Sequence, residues 1–193
     1  ANSLAIQVLG GHGYINEHPV EMFYRDNRLN PIHEGTYCIQ SLDLLARKVP
    51  MNQLAGVMAL MGEFEKTITE AKEQSSLRDF SDELQSAVKT LSQVTETLLK
   101  SMMVKDIDLV LSNSVKYLEL FGNVVIAWIW LKQGIVAQAA LVKEPHKEDK
   151  QFYQGKLQAM RYFFKSELPE INAWAKLLTD FDSTNFDMHP DWF

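Results

Sequence analysis

The chain has a single cysteine, Cys38, among 193 residues. An internal disulfide is therefore excluded, and a reducing compartment fits. Basic charge is also short: 19 Lys and Arg stand against 25 Asp and Glu, a formal net charge of −6. A surface of that sign does not hold a phosphate backbone, so nucleic acid is not an expected partner. Strand signals are missing, since no run alternates with a period of two and neither Asn-Gly nor Asp-Gly occurs. Long apolar runs are missing too. The best candidate, LFGNVVIAWIWL at 120–131, has 12 residues closed off by Glu119 and Lys132. A membrane crossing needs roughly 20, so no membrane span is expected and this stretch reads as a buried helix. A di-iron helical bundle needs Glu-x-x-His on two helices. Five histidines are present but no Glu-x-x-His, so no metal site is expected.

What is present is helical. The hydrophobic share of 46% suits a globular chain rather than a disordered one. From residue 51 onward apolar residues fall at steps of three and four: Leu54, Val57, Met58, Met61, Phe64 and Ile68, then Leu84, Ala87, Val88, Leu91, Val94 and Leu98. A third helix is predicted from Asp106 to Lys143. A fourth carries Phe152, Leu157, Met160, Phe163, Phe164, Ile171, Trp174 and Leu178, with a restart near Pro169. Short polar joints between four such segments predict an antiparallel four-helix bundle over 51–193. Residues 1–50 differ. They are punctuated by glycine and predict shorter helices near 1–9, 19–28 and 36–49, with Pro50 as the join. The opening residues Ala1 to Ile6 read as the late turns of a helix already under way, so a piece of a longer protein is expected.

Within that first part, four short stretches bear chemistry. In NPIHEGTYCIQ, residues 30–40, a carboxylate (Glu34) stands beside a glycine at the entrance of a helix that Thr36 can cap. Helix-start amides there can hold a carbonyl or anionic oxygen. A glutamate buried against an apolar ligand becomes an effective general base. From the local sequence alone, a helix-start carboxylate facing the dipole is the preferred reading of Glu34. QVLGGHGY, residues 7–14, has the wrong spacing for a dinucleotide fingerprint and fits a helix ended by Gly10 and Gly11. YRDNR, residues 24–28, reads as ion-paired or solvated charge, and Asp43 with Arg47 as an i,i+4 pair. Beyond residue 50, Met58, Met61, Met102, Met103, Phe121, Trp128 and Trp130 read as core rather than as a ligand pocket. The tail either frays or packs Phe186, Trp192 and Phe193 on the bundle.

In this order and spacing, the stretch from Ala5 to Val49 resembles the C-terminal helical domain of the flavin-dependent acyl-CoA dehydrogenases. The elements are Q-x-x-G-G-x-G-Y at 7–14, R-D at 25–26, E-G-T at 34–36 and I-Q at 39–40. IQSLDLLARKV and the helical remainder resemble the long subfamily with a C-terminal helical extension, the group that includes 3-methylmercaptopropionyl-CoA dehydrogenase. The resemblance implies an all-α chain: the end of that domain at 1–50, then a bundle-like extension at 51–193. It implies that Glu34 is the base removing the α-proton of an acyl-CoA thioester while the β-hydrogen leaves as hydride to FAD, giving a trans-2-enoyl-CoA. Gly35 would lie against the substrate. Thr36, Tyr37 and Cys38 would touch FAD, and Gln7, Val8, Leu9, Gly10 and Gly11 the FAD of a neighbouring subunit. A homodimer or homotetramer, an electron-transfer acceptor and a cytoplasmic location are implied with it. So are the N-terminal and middle domains of a parent chain, without which this piece is expected neither to retain FAD nor to turn over. Arg25 and Asp26 would be structural. His33 departs from the family's usual tyrosine, and Cys38 from its glycine, glutamate or glutamine. Two other readings stand beside this one: a catalytically inactive helical interaction or oligomerisation module that keeps the dehydrogenase scaffold, and a free-standing ligand-binding bundle.

Overall fold

The computed structural model describes residues 2–192, helical with no strand among them. The chain divides into two compact units, Ala1–Gln40 and Ser41–Phe193.

The first unit holds α1 (Asn2–Leu9), α2 (Gly11–Tyr14), α3 (Val20–Asn27) and the start of α4 (Tyr37–Leu42). α1 stops where Gly10 takes a φ of +57°, its N–H donating to the Gln7 carbonyl at 3.2 Å. Gly11 does not close α1 with it. Instead it opens α2, and the Gly10 carbonyl accepts from the Gly13 N–H at 3.0 Å. α2 sits hard against α1, because a Cβ on Gly13 would lie 2.5 Å from the Ile6 carbonyl oxygen. The Asn2 side-chain amide donates to the Phe23 carbonyl at 3.1 Å and ties α1 to α3. Gly13→Ala should therefore push α1 and α2 apart, costing about 1–3 kcal/mol as an overpacked contact. Amide hydrogen exchange should show α1 losing protection while the second unit keeps its own.

Gly13 is also the one fully buried residue described in this unit. Leu4, Val8, Phe23, Leu29, Ile32 and Ile39 are each more than half exposed. Six large apolar side chains are thus left open within a unit of 40 residues.

In the second unit a π-helical turn (Asp43–Lys48) buries Leu45 and Val49, so this unit's core begins before Pro50. α5 (Met51–Lys72) opens with three left-handed residues, Asn52, Gln53 and Leu54, and is regular only beyond them. α6 (Arg78–Ser101) follows a 3₁₀ turn at Ser75–Leu77. The helix predicted as continuous from Asp106 to Lys143 is broken. α7 (Ile107–Leu111) stops at Ser112, and α8 (Ser114–Val142) starts after Asn113. Asn113 is buried at the break, where its amide donates to the Asp182 carbonyl at 2.8 Å and accepts from Asn185 at 3.2 Å. Polar bonds thus hold the tail. Phe186 and Trp192 remain exposed, and Phe193 lies outside the described residues.

α9 (Lys147–Tyr162) packs on α8. A π-helical turn at Phe163–Glu167 and a 3₁₀ turn at Leu168–Glu170 then hand over to α10 (Ile171–Thr179). Pro169 has no N–H to continue a helix, so the restart falls there. α10 packs on α6 and α8, and α5 packs on the same two helices. The bundle is therefore closed by α10, with α9 as its approach. The core is one cluster of Phe64, Ile68, Leu84, Leu91, Leu98, Tyr117, Leu120, Val124, Leu131, Phe164, Ile171 and Leu178, among others. Met61, Met102, Phe121, Trp128 and Trp130 edge it, while Met58 and Met103 are exposed. By length and composition alone α8 could cross a membrane. Its buried residues instead recur at steps of three and four and supply the centre of this core.

Three polar contacts inside the core were not legible from spacing. Ser41 and Ser114 share a hydrogen bond of 2.9 Å, Trp128 donates to Thr67 at 2.7 Å, and Tyr117 shares one of 2.8 Å with Thr95. Burial pushes the Tyr117 hydroxyl from 10.0 up to about 12, against a smaller opposing pull from Thr95. The raised value means the neutral phenol is favoured in the folded state. Its contribution, about 3 kcal/mol at 1.36 kcal/mol per unit, is present below pH 10.0 and is lost as pH rises to about 12. Tyr117→Phe should cost about 1 kcal/mol at neutral pH and flatten this alkaline loss. Urea midpoints measured across that window for both proteins check it.

Candidate functional site

After α3 the backbone is held by short-range bonds. Ile32 and His33 donate to the Leu29 carbonyl at 3.0 and 2.8 Å, and Gly35 donates to the Ile32 carbonyl at 3.4 Å. Two successive left-handed residues then turn the chain into α4: Glu34 at φ +59° and Gly35 at φ +123°. For a glutamate this conformation costs about 1–2 kcal/mol. What holds it is Gln40, one turn into α4, whose side-chain amide donates to the Glu34 carbonyl at 2.8 Å. Gly35 is required twice, by its φ and by space. A Cβ there would lie 3.0 Å from Ile39 Cγ2 and 3.3 Å from Gln40 Nε2. The close approach that a glycine permits here is to its own helix.

The Glu34 backbone is thus pinned while its carboxylate is exposed and, among the described residues, makes no hydrogen bond or ion pair. Thr36 holds the capping position, its carbonyl accepting from the Gln40 N–H at 3.0 Å. Tyr37 and Cys38 occupy the exposed first turn of α4. Gln40 is the residue of the I-Q element that spacing alone does not assign to the site. The signal was available, since a long amide six residues after Glu34 can reach back across the first turn of a helix.

The other predicted group lies at the end of α1. Gln7, Gly10 and Gly11 are exposed, Val8 is 86% exposed and Leu9 36%. A Cβ at Gly10 or Gly11 would meet nothing within 4 Å, so bare backbone faces outward beside Val8. Among the described residues no hydrogen bond joins this group to Glu34. Between α1, α2 and α3 a groove of about 700 Å³ is lined by Ile6, Tyr14, Glu21, Tyr24, Arg25 and Arg28. Glu21, Arg25 and Arg28 share a helix face by steps of four and three. The Arg25, Asp26 and Arg28 side chains form no ion pair among the described residues, so this charge is solvated. Asp43 and Arg47 do pair. The Arg47 hydrogen bond holds the Asp43 carboxyl below the usual range, and Asp43 holds the Arg47 guanidinium above its own. No group of three or more His, Cys, Asp or Glu among the described residues is placed to hold a metal ion.

Two family models divide the chain. "Acyl-CoA dehydrogenase, C-terminal domain" matches residues 1–49, which include the Glu34 loop, and "Acetyl-CoA dehydrogenase C-terminal like" matches 60–189. The chain belongs to the acyl-CoA dehydrogenase family. Curated members of the family align over nearly all of it. Broad-specificity linear acyl-CoA dehydrogenase FadE5 of Mycobacterium tuberculosis is 25% identical over 184 residues, 93% of this chain. The 3-methylmercaptopropionyl-CoA dehydrogenase of Ruegeria pomeroyi is 31% identical over 185 residues, 92% of this chain. The chain spans 30% of the length of each of these two acyl-CoA dehydrogenases. The mitochondrial short-chain specific acyl-CoA dehydrogenase of Rattus norvegicus is 58% identical over 38 residues, 20% of this chain. Likeness to that enzyme is dense and short, whereas likeness to the other two reaches through the bundle as well.

Proposed function

We propose that this chain is the C-terminal part of a flavin-dependent acyl-CoA dehydrogenase whose α-proton base is Glu34. Residues 1–50 form the end of the family's helical domain, and 51–193 form a helical extension. The observation that carries this reading is a carboxylate without partners on a backbone locked by Gln40 and Gly35. A general base needs an anchored backbone and an unoccupied carboxylate oxygen, and Glu34 has both. Bare backbone at Gly10 and Gly11, and the exposed Thr36, Tyr37 and Cys38, fit one edge of a flavin site.

When bound, FAD supplies the acceptor that takes the β-hydrogen with its electron pair. Glu34 takes the α-proton, the α,β double bond forms from the electrons of that C–H bond, and the product is a trans-2-enoyl-CoA. The Glu34 N–H stabilises the charge that develops on the thioester oxygen. Gly35 lies against the thioester through its backbone, since Ile39 and Gln40 take the space beside its Cα. An acyl chain and the N-terminal and middle domains of the parent cover the Glu34 carboxylate and exclude water from it. The exposed apolar residues of the first unit are the surface on which those domains and a second subunit of a homodimer or homotetramer sit. An electron-transfer acceptor would reoxidise the flavin.

Anaerobic titration of the uninterrupted parent protein with acyl-CoAs of increasing length is the test. Stoichiometric flavin that bleaches with one range of lengths supports the proposal and reads out chain-length preference. A parent that holds no flavin defeats it and favours an inactive interaction module. The 193-residue chain by itself should bind no stoichiometric FAD, and flavin copurifying with it one-to-one would overturn that expectation.

A further inference from the structure

α8 and α9 enclose a groove of 490 Å³ that no step above uses, a size in the range of small-molecule sites, about 300–1,000 Å³. Its walls are apolar: Ile129 and Val136 from α8, Phe152 and Tyr153 from α9, with Ile129, Val136 and Phe152 all exposed. Ile129 and Val136 stand about 10 Å apart along α8 at 1.5 Å per residue. The two helices are held closely together on another face, where a Cβ on Gly134 would collide with Met160 Sδ. The groove therefore lies between fixed walls.

Two lysines line it. Lys132 Nζ sits 4.7 Å from the Trp128 ring centre, and Lys156 Nζ 5.7 Å from that of Trp130 and 5.4 Å from that of Phe152. Phe152 is itself a groove wall, so its ring holds the Lys156 ammonium at the groove, while that of Lys132 lies over Trp128. Neither forms an ion pair among the described residues. The Glu63 carboxylate, which feels the charge of Lys132, is already bonded to Lys66 at 2.6 Å. Lys156 is half-buried as well. In a chain with a net charge of −6, two lysines that form no ion pair among the described residues, beside one apolar groove, call for an occupant with the opposite charge and an apolar body.

We propose that this groove binds a single-chain amphiphile, an unbranched hydrocarbon tail with an anionic head group. The tail lies along Ile129, Val136 and Phe152, and the head meets Lys132 and Lys156. An anionic membrane surface fits less well, because the site is concave and the chain's net charge opposes that surface. This proposal rests on the second unit alone and does not depend on the role of Glu34.

The test is titration of the full 193-residue chain with sodium dodecanoate below its micelle-forming concentration, read by tryptophan fluorescence and calorimetry. Saturable one-to-one binding is expected. It should weaken about tenfold in Lys156→Gln, the loss of one charge-assisted contact, and vanish in Val136→Asp. Both side chains are at least partly exposed, so both variants should keep the wild-type circular dichroism. Dodecyltrimethylammonium, with the same tail and the opposite charge, should not bind. Equal binding of the two detergents would overturn the proposal, as would dodecanoate binding untouched by Val136→Asp. Adsorption to phosphatidylglycerol vesicles without binding of dodecanoate monomers would replace it with a membrane surface. A concentration-dependent dimer that Val136→Asp disperses, with no dodecanoate binding, would replace it with a second copy of the chain.

Discussion

Glu34→Gln in the uninterrupted parent protein should leave flavin bound and slow anaerobic bleaching by acyl-CoA about a hundred- to ten-thousand-fold, the range a positioned base contributes. Glutamine keeps the length and shape of the side chain and removes only the proton acceptor. The backbone arrangement does not depend on the carboxylate, because Gln40 bonds to the Glu34 carbonyl and the tight contact belongs to Gly35. Retained flavin with lost bleaching therefore isolates the chemistry. A companion variant, Gln40→Leu, separates position from chemistry. It keeps the carboxylate but releases the Glu34 carbonyl, so reduction should slow by less than in Glu34→Gln. If Glu34→Gln bleaches as fast as the native protein, the base lies elsewhere and the loop is scaffold.

Phe64→Ala should destabilise the bundle by about 3–5 kcal/mol, measured as a lower urea midpoint at unchanged slope. Phe64 has no exposed surface, and its ring meets Trp128 edge-on with centroids 5.4 Å apart. Trp128 in turn donates to Thr67, one turn along α5. Truncating Phe64 leaves a cavity between α5 and α8 and removes one wall of the pocket that orients the indole. A loss of that size is a large part of a typical domain stability of about 5–15 kcal/mol. Trp128→Phe keeps the ring contact and abandons only the hydrogen bond, so it should cost less, about 1–3 kcal/mol for the Thr67 hydroxyl left without its donor. Equal losses in the two variants would mean that the polar contact, and not ring packing, organises this junction.

Much of the bundle was legible because burial leaves a period. Phe64 and Ile68, or Leu84, Leu91 and Leu98, can be assigned to a core from spacing alone, and in the structure they are buried. The α7–α8 break was not legible. Ser112 and Asn113 interrupt no apolar pattern, and what makes the break favourable is Asn113 bonding to residues about 70 positions away. Likewise the bundle closes through α10 rather than α9. That choice depends on which face of each helix meets α6, and no local period records it. At the Glu34 loop, Gly35 and the start of α4 were readable, but the locking of Glu34 by Gln40 needed the turn to be built.

By itself, the sequence determined the helical class, the family resemblance and the residue types at the candidate site. Those depend on local propensity, on period and on a short ordered motif. Only the tertiary structure decided which polar groups are satisfied: Asn113 holding the tail, Tyr117 neutral in the core, the Glu34 carbonyl bonded and its carboxylate left open. It alone set Lys132 and Lys156 beside one apolar groove. The physical reason is common to all of these. A side chain's charge, basicity and reach depend on what stands within a few ångströms of it, and in a bundle those neighbours come from other helices.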